Sequence, residues 1–203
     1  MIAVITGDVI NSRSTRSAAW LKVLKQELEE LGNTPRKWEI YRGDSFQAEV
    51  KDPQAALLKA VKIKAALKSL NGIDVRIAIG IGDKTHSTKS ITESNGSAFV
   101  NSGSLAEELK KRRLNLAVRS NMRGFDNEIN LYLKLALLVM DRWTTNAAAS
   151  VKMAMQFPDK SQAALGRMFG IRQNAVSTRL KRARYYEIME VLDMYRNKLA
   201  VLQ

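Results

Sequence analysis

The chain has 203 residues, 45% hydrophobic and 26% charged, which is the composition of compact domains with ordinary cores rather than of a disordered or collagen-like polymer. Thirty-three Lys and Arg stand against 20 Asp and Glu, a formal net charge of +13, so a polyanionic partner is expected, nucleic acid before an anionic membrane surface. With no Cys and a single His, His86, the sequence excludes disulfides, thiol nucleophiles, Cys-ligated zinc and His-based metal clusters.

Ile2 to Ile5 is a short apolar run, as in a strand covered on both faces, and it meets Gly7-Asp8 with no basic lead before it. It reads as a strand, not a signal peptide. Leu21, Leu24, Leu28 and Leu31 recur at helical spacing and stop at Gly32. Trp38 to Tyr41 and Phe46 to Val50 alternate about a Gly43-Asp44 turn, which predicts a β-hairpin. Asp52-Pro53 opens a second helix with Leu57, Ala60, Ile63, Leu67 and Leu70 as its stripe, and Asn71-Gly72 closes it. Val75, Ile77, Ile79 and Ile81 alternate along a strand, Asp83 to Gly96 reads as a loop, Ser104 to Arg113 as a helix, and Leu114, Leu116 and Val118 as a last strand. The order predicts an α+β fold: a ferredoxin-like βαββαβ unit with an added helix and strand, its helices on one face of an antiparallel sheet.

From Asp126 onward strand signals vanish, and helical patterns cover Ile129 to Trp143, Asn146 to Phe157, Ser161 to Phe169 and Gln173 to about Val201. The expected division is an α/β domain over 1–122, a linker around Ser120 to Phe125, and an all-helical domain over 126–203. Residues 141–203 hold 11 basic against 5 acidic side chains, and 1–140 hold 22 against 15, so positive charge per residue is about twice as dense in the C-terminal part. No stretch approaches the roughly 20 apolar residues of a membrane span, and a soluble cytoplasmic protein is expected.

Between Lys160 and Arg184 lie seven basic residues and no acidic one. The same window, about 161–184, carries a helix-turn-helix pattern: Leu165 and Phe169 facing inward, Gly166 for close approach, Gly170-Ile171 as the turn, Val176 and Leu180 anchoring the second helix. Outward on that helix fall Arg172, Gln173, Asn174, Ser177, Thr178 and Lys181, side chains able to read base edges or hold phosphates, with Arg179, Arg182 and Arg184 beside them. The run Val176 to Arg184, with the Phe-Gly-Ile turn before it, resembles the recognition helix of sigma factor region four and related regulators. That resemblance implies double-stranded DNA as partner. A seam of Ile188, Leu192, Tyr195, Leu199 and Leu202 would either join two chains as a homodimer or pack back on its own domain.

Two acids, Asp8 and Asp44, follow glycines at strand ends. Adjacent strands would bring both carboxylates to one edge, able to hold Mg²⁺ against a phosphate chain, and the same residues also suit turn capping. Thr6 to Ser12, Tyr41 to Gln47, Val75 to Gly80 and Gly96 to Asn101 together resemble the class III nucleotide cyclase and GGDEF catalytic folds, in which the two aspartates bind metal. The resemblance implies a nucleotide ligand near Asp8 and Asp44, with Asn101 and Arg42 as its contacts. Two departures stand out: Ile40 where cyclases read the purine, and Leu105 where they place an arginine for the transition state, with Arg42 or Lys89 as the available substitutes. Losing such a cation costs several kcal/mol of barrier, so efficient cyclase chemistry is not expected. Over nearly the whole chain the arrangement resembles the bacterial SatD family. Trp20 and Trp38 are expected in the core, and Lys110 to Arg113 reads equally as a helix C-terminus or as an auxiliary phosphate contact. The expected function is a DNA-binding transcriptional regulator with a nucleotide-sensing or assembly module; the alternative is an active metal-dependent nucleotidyl enzyme tethered to DNA.

Overall fold

The computed structural model describes residues 1–13 and 17–202. Strand β1 (Ile2–Ile10) leads to α1 (Ser17–Glu29), the hairpin β2 (Trp38–Tyr41) and β3 (Ser45–Val50), α2 (Ala56–Lys68), β4 (Asp74–Gly82), α3 (Ser97–Arg112) and β5 (Leu116–Arg119). The five strands form one sheet in the order β2-β3-β1-β4-β5, antiparallel throughout except for the parallel pair β4 and β5. β1 runs five residues beyond Ile5 and stops where Asn11 turns left-handed (φ 61°), a conformation Asn tolerates; its side-chain amide donates to the Gly72 carbonyl at 3.1 Å. Asp52 caps the turn Pro53–Ala55 before α2 by accepting from the Gln54 amide at 3.0 Å.

The helices cover both faces of the sheet, which corrects the expectation of helices on one face of an antiparallel sheet. α1 and α2 bury Trp20, Leu24, Leu57 and Leu67 against Ile5, Ile77 and Ile79. α3 covers the other face, where Ala98 and Phe99 meet Val4, and Leu105 and Leu109 meet Ala78 and Ala117. The cause lies in β4, whose residues on that face are Ala78, Gly80 and Gly82. A Cβ on Gly80 would sit 2.2 Å from the Ala98 carbonyl oxygen and 2.3 Å from the Ser102 nitrogen, so only glycine lets α3 lie directly on the strand. α3 accordingly begins at Ser97, seven residues before Ser104, and its buried Ser102 accepts a hydrogen bond from Thr6 of β1 at 3.0 Å.

The C-terminal part is helical: α4 (Arg123–Met140), α5 (Thr145–Gln156), α6 (Gln162–Phe169), α7 (Gln173–Arg182) and α8 (Tyr185–Val201). The stretch expected as a linker is a tight turn, with the Ser120 amide and hydroxyl both donating to the Asp126 carboxylate at 2.9 and 2.7 Å. Hydrophobic contact continues across it, since one buried cluster runs from Ile79 and Leu67 through Ala148 and Val151 to Leu180 and Leu199. Lys64, 1% exposed, bridges Asp74 of β4 (2.8 Å) and Asp141 after α4 (2.7 Å) and ties the two parts together. The α8 seam packs on its own chain: Ile188, Leu192, Tyr195 and Leu199 are buried, and the Tyr195 hydroxyl donates to the Pro53 carbonyl at 2.8 Å. Burial pushes the Tyr195 phenol well above its usual range.

The single helix expected from Gln173 to Val201 is two helices. The break falls at Arg184 in a left-handed conformation (φ 52°), and the freed Ala183 carbonyl accepts from the buried Trp143 indole at 3.0 Å. No Gly or Pro marks that break. Among the described residues, no helix is long and apolar enough to cross a membrane.

Candidate functional site

The helix pair α6 and α7 is built by a short capped turn. Ser161 caps α6 by accepting from the Ala164 amide at 3.2 Å, and Gly170 ends it left-handed (φ 65°). Gly166 lies under the turn, where a Cβ would meet the Ile171 carbonyl oxygen at 2.7 Å, while the Ile171 amide donates to the Gly166 carbonyl at 2.9 Å. Leu165, Val176, Leu180 and Ala183 are buried, and Ile171 packs on the same cluster. Phe169, expected inside, is half-buried.

That anchoring fixes what α7 shows to solvent. With Val176, Leu180 and Ala183 inside and 3.6 residues per turn, Asn174, Ser177, Thr178 and Lys181 fall on the far side, and Arg179 and Arg182 on one flank. Arg172, Gln173, Asn174, Ser177, Thr178, Lys181 and Arg182 are exposed and Arg179 is half-buried. Among the described residues, none of these eight side chains has a hydrogen bond or ion pair within the chain. Arg184 differs, because it pairs with Glu187 at 3.1 Å.

The strand-end acids are partnered. Asp8 lies opposite Ser45 of β3 and Arg76 of β4, and the Arg76 guanidinium reaches its carboxylate at 3.2 Å while also donating to the Leu114 carbonyl. Asp44 is its neighbour in the sheet, its backbone oxygen accepting from the Val9 amide at 3.0 Å, and its carboxylate accepts from the Ser12 hydroxyl at 2.7 Å. By strand alternation Asp8 shares the α3 face with Thr6, whereas Ser12, the partner of Asp44, accepts from the core indole of Trp20 on the α1 side. A cation bridging both carboxylates would share Asp8 with the Arg76 guanidinium and Asp44 with the Ser12 hydroxyl. Among the described residues, no group of three or more metal-ligating side chains is assembled. Tyr41, half-buried beside Asp8, has its phenol raised, chiefly by burial.

The nucleotide candidates lie apart. Arg42 is exposed in the hairpin turn, left-handed at φ 52° beside Gly43 at φ 89°. Asn101 donates to the Ile81 carbonyl at 2.9 Å, and Ile81 faces Ala3 in the register that sets Arg76 against Asp8. Five residues of strand separate the two levels, about 16 Å at 3.3 Å per residue. Leu105 is buried on the face of α3 that packs on the sheet, and Lys89 is exposed in the loop. His86 forms a short bridge with Asn95, Trp20 and Trp38 are core, and Lys110 to Arg113 ends α3, with Arg112 held by Glu108 at 2.7 Å.

Two participants escape sequence reasoning. Arg76 is hidden because the register of two distant strands is not written locally, although its position on an apolar strand is a signal that an acid faces it. Arg142 precedes Trp143 and the cap Thr144, and it lines the side of α7 together with Arg179 and Arg182. No protein-family model matches the chain, and none of the curated proteins matches it either.

Proposed function

We propose that the protein is a DNA-binding transcriptional regulator in which α6, the Gly170 turn and α7 act as a helix-turn-helix, with α7 entering the major groove of double-stranded DNA. The observation that carries this reading is the α7 surface: eight basic or hydrogen-bonding side chains, none with a partner among the described residues, on a helix pinned by Val176, Leu180 and Ala183. Asn, Ser, Thr and Gln beside Arg and Lys suit base edges and phosphates together, and the net charge of +13 supplies attraction to a polyanion. The resemblance of α7 to the recognition helix of sigma region four points the same way.

The α/β part is a nucleotide-sensing or assembly module in this reading. Its strand order β2-β3-β1-β4 supports the ferredoxin-like and cyclase-like comparison. The Arg76 pairing of Asp8, the buried Leu105 and the distance of Asn101 from Asp8 weigh against an active cyclase site.

Fluorescence anisotropy on a duplex from the protein's own upstream region and on a scrambled duplex tests the reading, with Arg179→Ala as the comparison. Preference for one duplex, weakened in the variant, is the expected result; no binding to either overturns it. Turnover of ATP or GTP with Mg²⁺, abolished by Asp44→Ala, would instead establish the tethered enzyme.

A further inference from the structure

The flank of α7 is not a flat surface. The end of α4, the start of α5 and α7 enclose a recess of about 570 Å³, lined by Arg142, Arg179 and Arg182 together with Leu138, Trp143 and Thr144. Three arginines therefore line one recess, and among the described residues none of their guanidinium groups meets a carboxylate. Arg112 and Arg119, by contrast, share Glu108, and Arg76 holds Asp8. Like charges left facing one another repel, so the arrangement is relieved only when an anion enters. α5 adds to the positive potential, because its first turn opens on the recess and Thr144 satisfies only the Ala147 amide there, at 3.2 Å.

The geometry points to a phosphate-binding recess formed by Arg142, Arg179 and Arg182, and we infer that its ligand is a phosphate of the DNA backbone flanking the groove that α7 reads. This rests on the DNA-binding reading and deepens it. A planar guanidinium offers two parallel donors to one phosphate, and three of them around one cavity fix that phosphate in place rather than merely attract it. The recess sits on the same helix as Asn174, Ser177 and Thr178 but on its flank, so a strand gripped there sets the depth and rotation of α7 against the bases. Arg142, outside α6 and α7, becomes part of the interface. Trp143 is fixed by its bond to the Ala183 carbonyl, which holds the recess wall to the end of α7.

Arg142→Gln and Arg142→Lys in the full chain test this on the preferred and scrambled duplexes, with inorganic phosphate and ATP as separate probes followed by tryptophan fluorescence. The expected result is a loss on the order of tenfold in affinity for both duplexes with Arg142→Gln, an unchanged ratio between them, and partial rescue by Arg142→Lys. Unchanged affinity on both duplexes overturns the inference while leaving DNA binding by α7 intact. Arg142-dependent binding of free phosphate or ATP with unchanged DNA affinity also overturns it, and assigns the recess to a small ligand. Failure of the wild-type chain to bind any duplex overturns the underlying reading and this assignment with it.

Discussion

The sheet and the α7 surface treat charge in opposite ways. In the α/β part the carboxylates of the sheet and its helices are mostly held, among them Asp8 by Arg76, Asp44 by Ser12, Asp74 by Lys64 and Lys68, Glu30 by Lys59 and Lys62, and Glu49 by Lys37 and Lys84. Along α7 the basic groups from Arg172 to Arg182 face solvent with nothing inside the chain to meet them. A charge that has a partner in the fold is accounted for by the fold. A surface of unpartnered like charges costs stability by self-repulsion, and a ligand of opposite sign is what relieves it.

Breaking a partnered charge in the sheet half should cost stability and leave DNA binding alone. Lys64→Ala removes a cation that is 1% exposed and serves both Asp74 and Asp141; Asp74 keeps Lys68, so the loss should lie near the low end for broken buried pairs, about 3 kcal/mol in urea unfolding. A change below about 1 kcal/mol would show that the bridge is not what joins the two parts.

Acid probes the same contrast without mutation. Burial opposes ionisation of Glu49, yet hydrogen bonds and charge from Lys37 and Lys84 outweigh it and hold the carboxyl below its ordinary value of 4.5. A group depressed in the folded state stabilises above its unfolded value and loses that contribution as pH falls through the folded one. Thermal stability should therefore fall below about pH 4.5, and Glu49→Gln should flatten that part of the profile. An identical acid limb in the variant would contradict the assignment.

On α7 the expected effects reverse. Asn174→Ala should reduce the preference between duplexes by about 1–3 kcal/mol if it holds a base edge, with the melting temperature unchanged. Lys181→Ala, exposed and unpartnered, should alter stability by less than about 0.5 kcal/mol and weaken both duplexes alike. A large loss of stability from either change would mean that the α7 surface packs against something.

Much of this division is legible in the sequence because it rests on local signals. The hairpin about Gly43, the Asp52-Pro53 helix start, the Gly170 turn and the acid-free window from Lys160 to Arg184 each depend on a few neighbouring residues. What the sequence hides is long-range. Ala78, Gly80 and Gly82 read as the open face of a strand, yet their smallness is what seats α3; the Arg76 to Asp8 pairing needs the register of β1 and β4; and the break at Arg184 depends on Trp143, 41 residues earlier. Arg142 belongs to the same class, since only folding brings it beside Arg179 and Arg182.

The most direct measurement is the salt dependence of wild-type binding to duplex DNA. Each neutralised phosphate contributes a slope of about −0.9 in log affinity against log salt, so one phosphate shared by Arg142, Arg179 and Arg182 and one each at Arg172 and Lys181 predict a slope of about −2.7. A slope near zero, or no binding at low salt, would contradict the claim that the unpartnered charge of α7 exists to meet DNA.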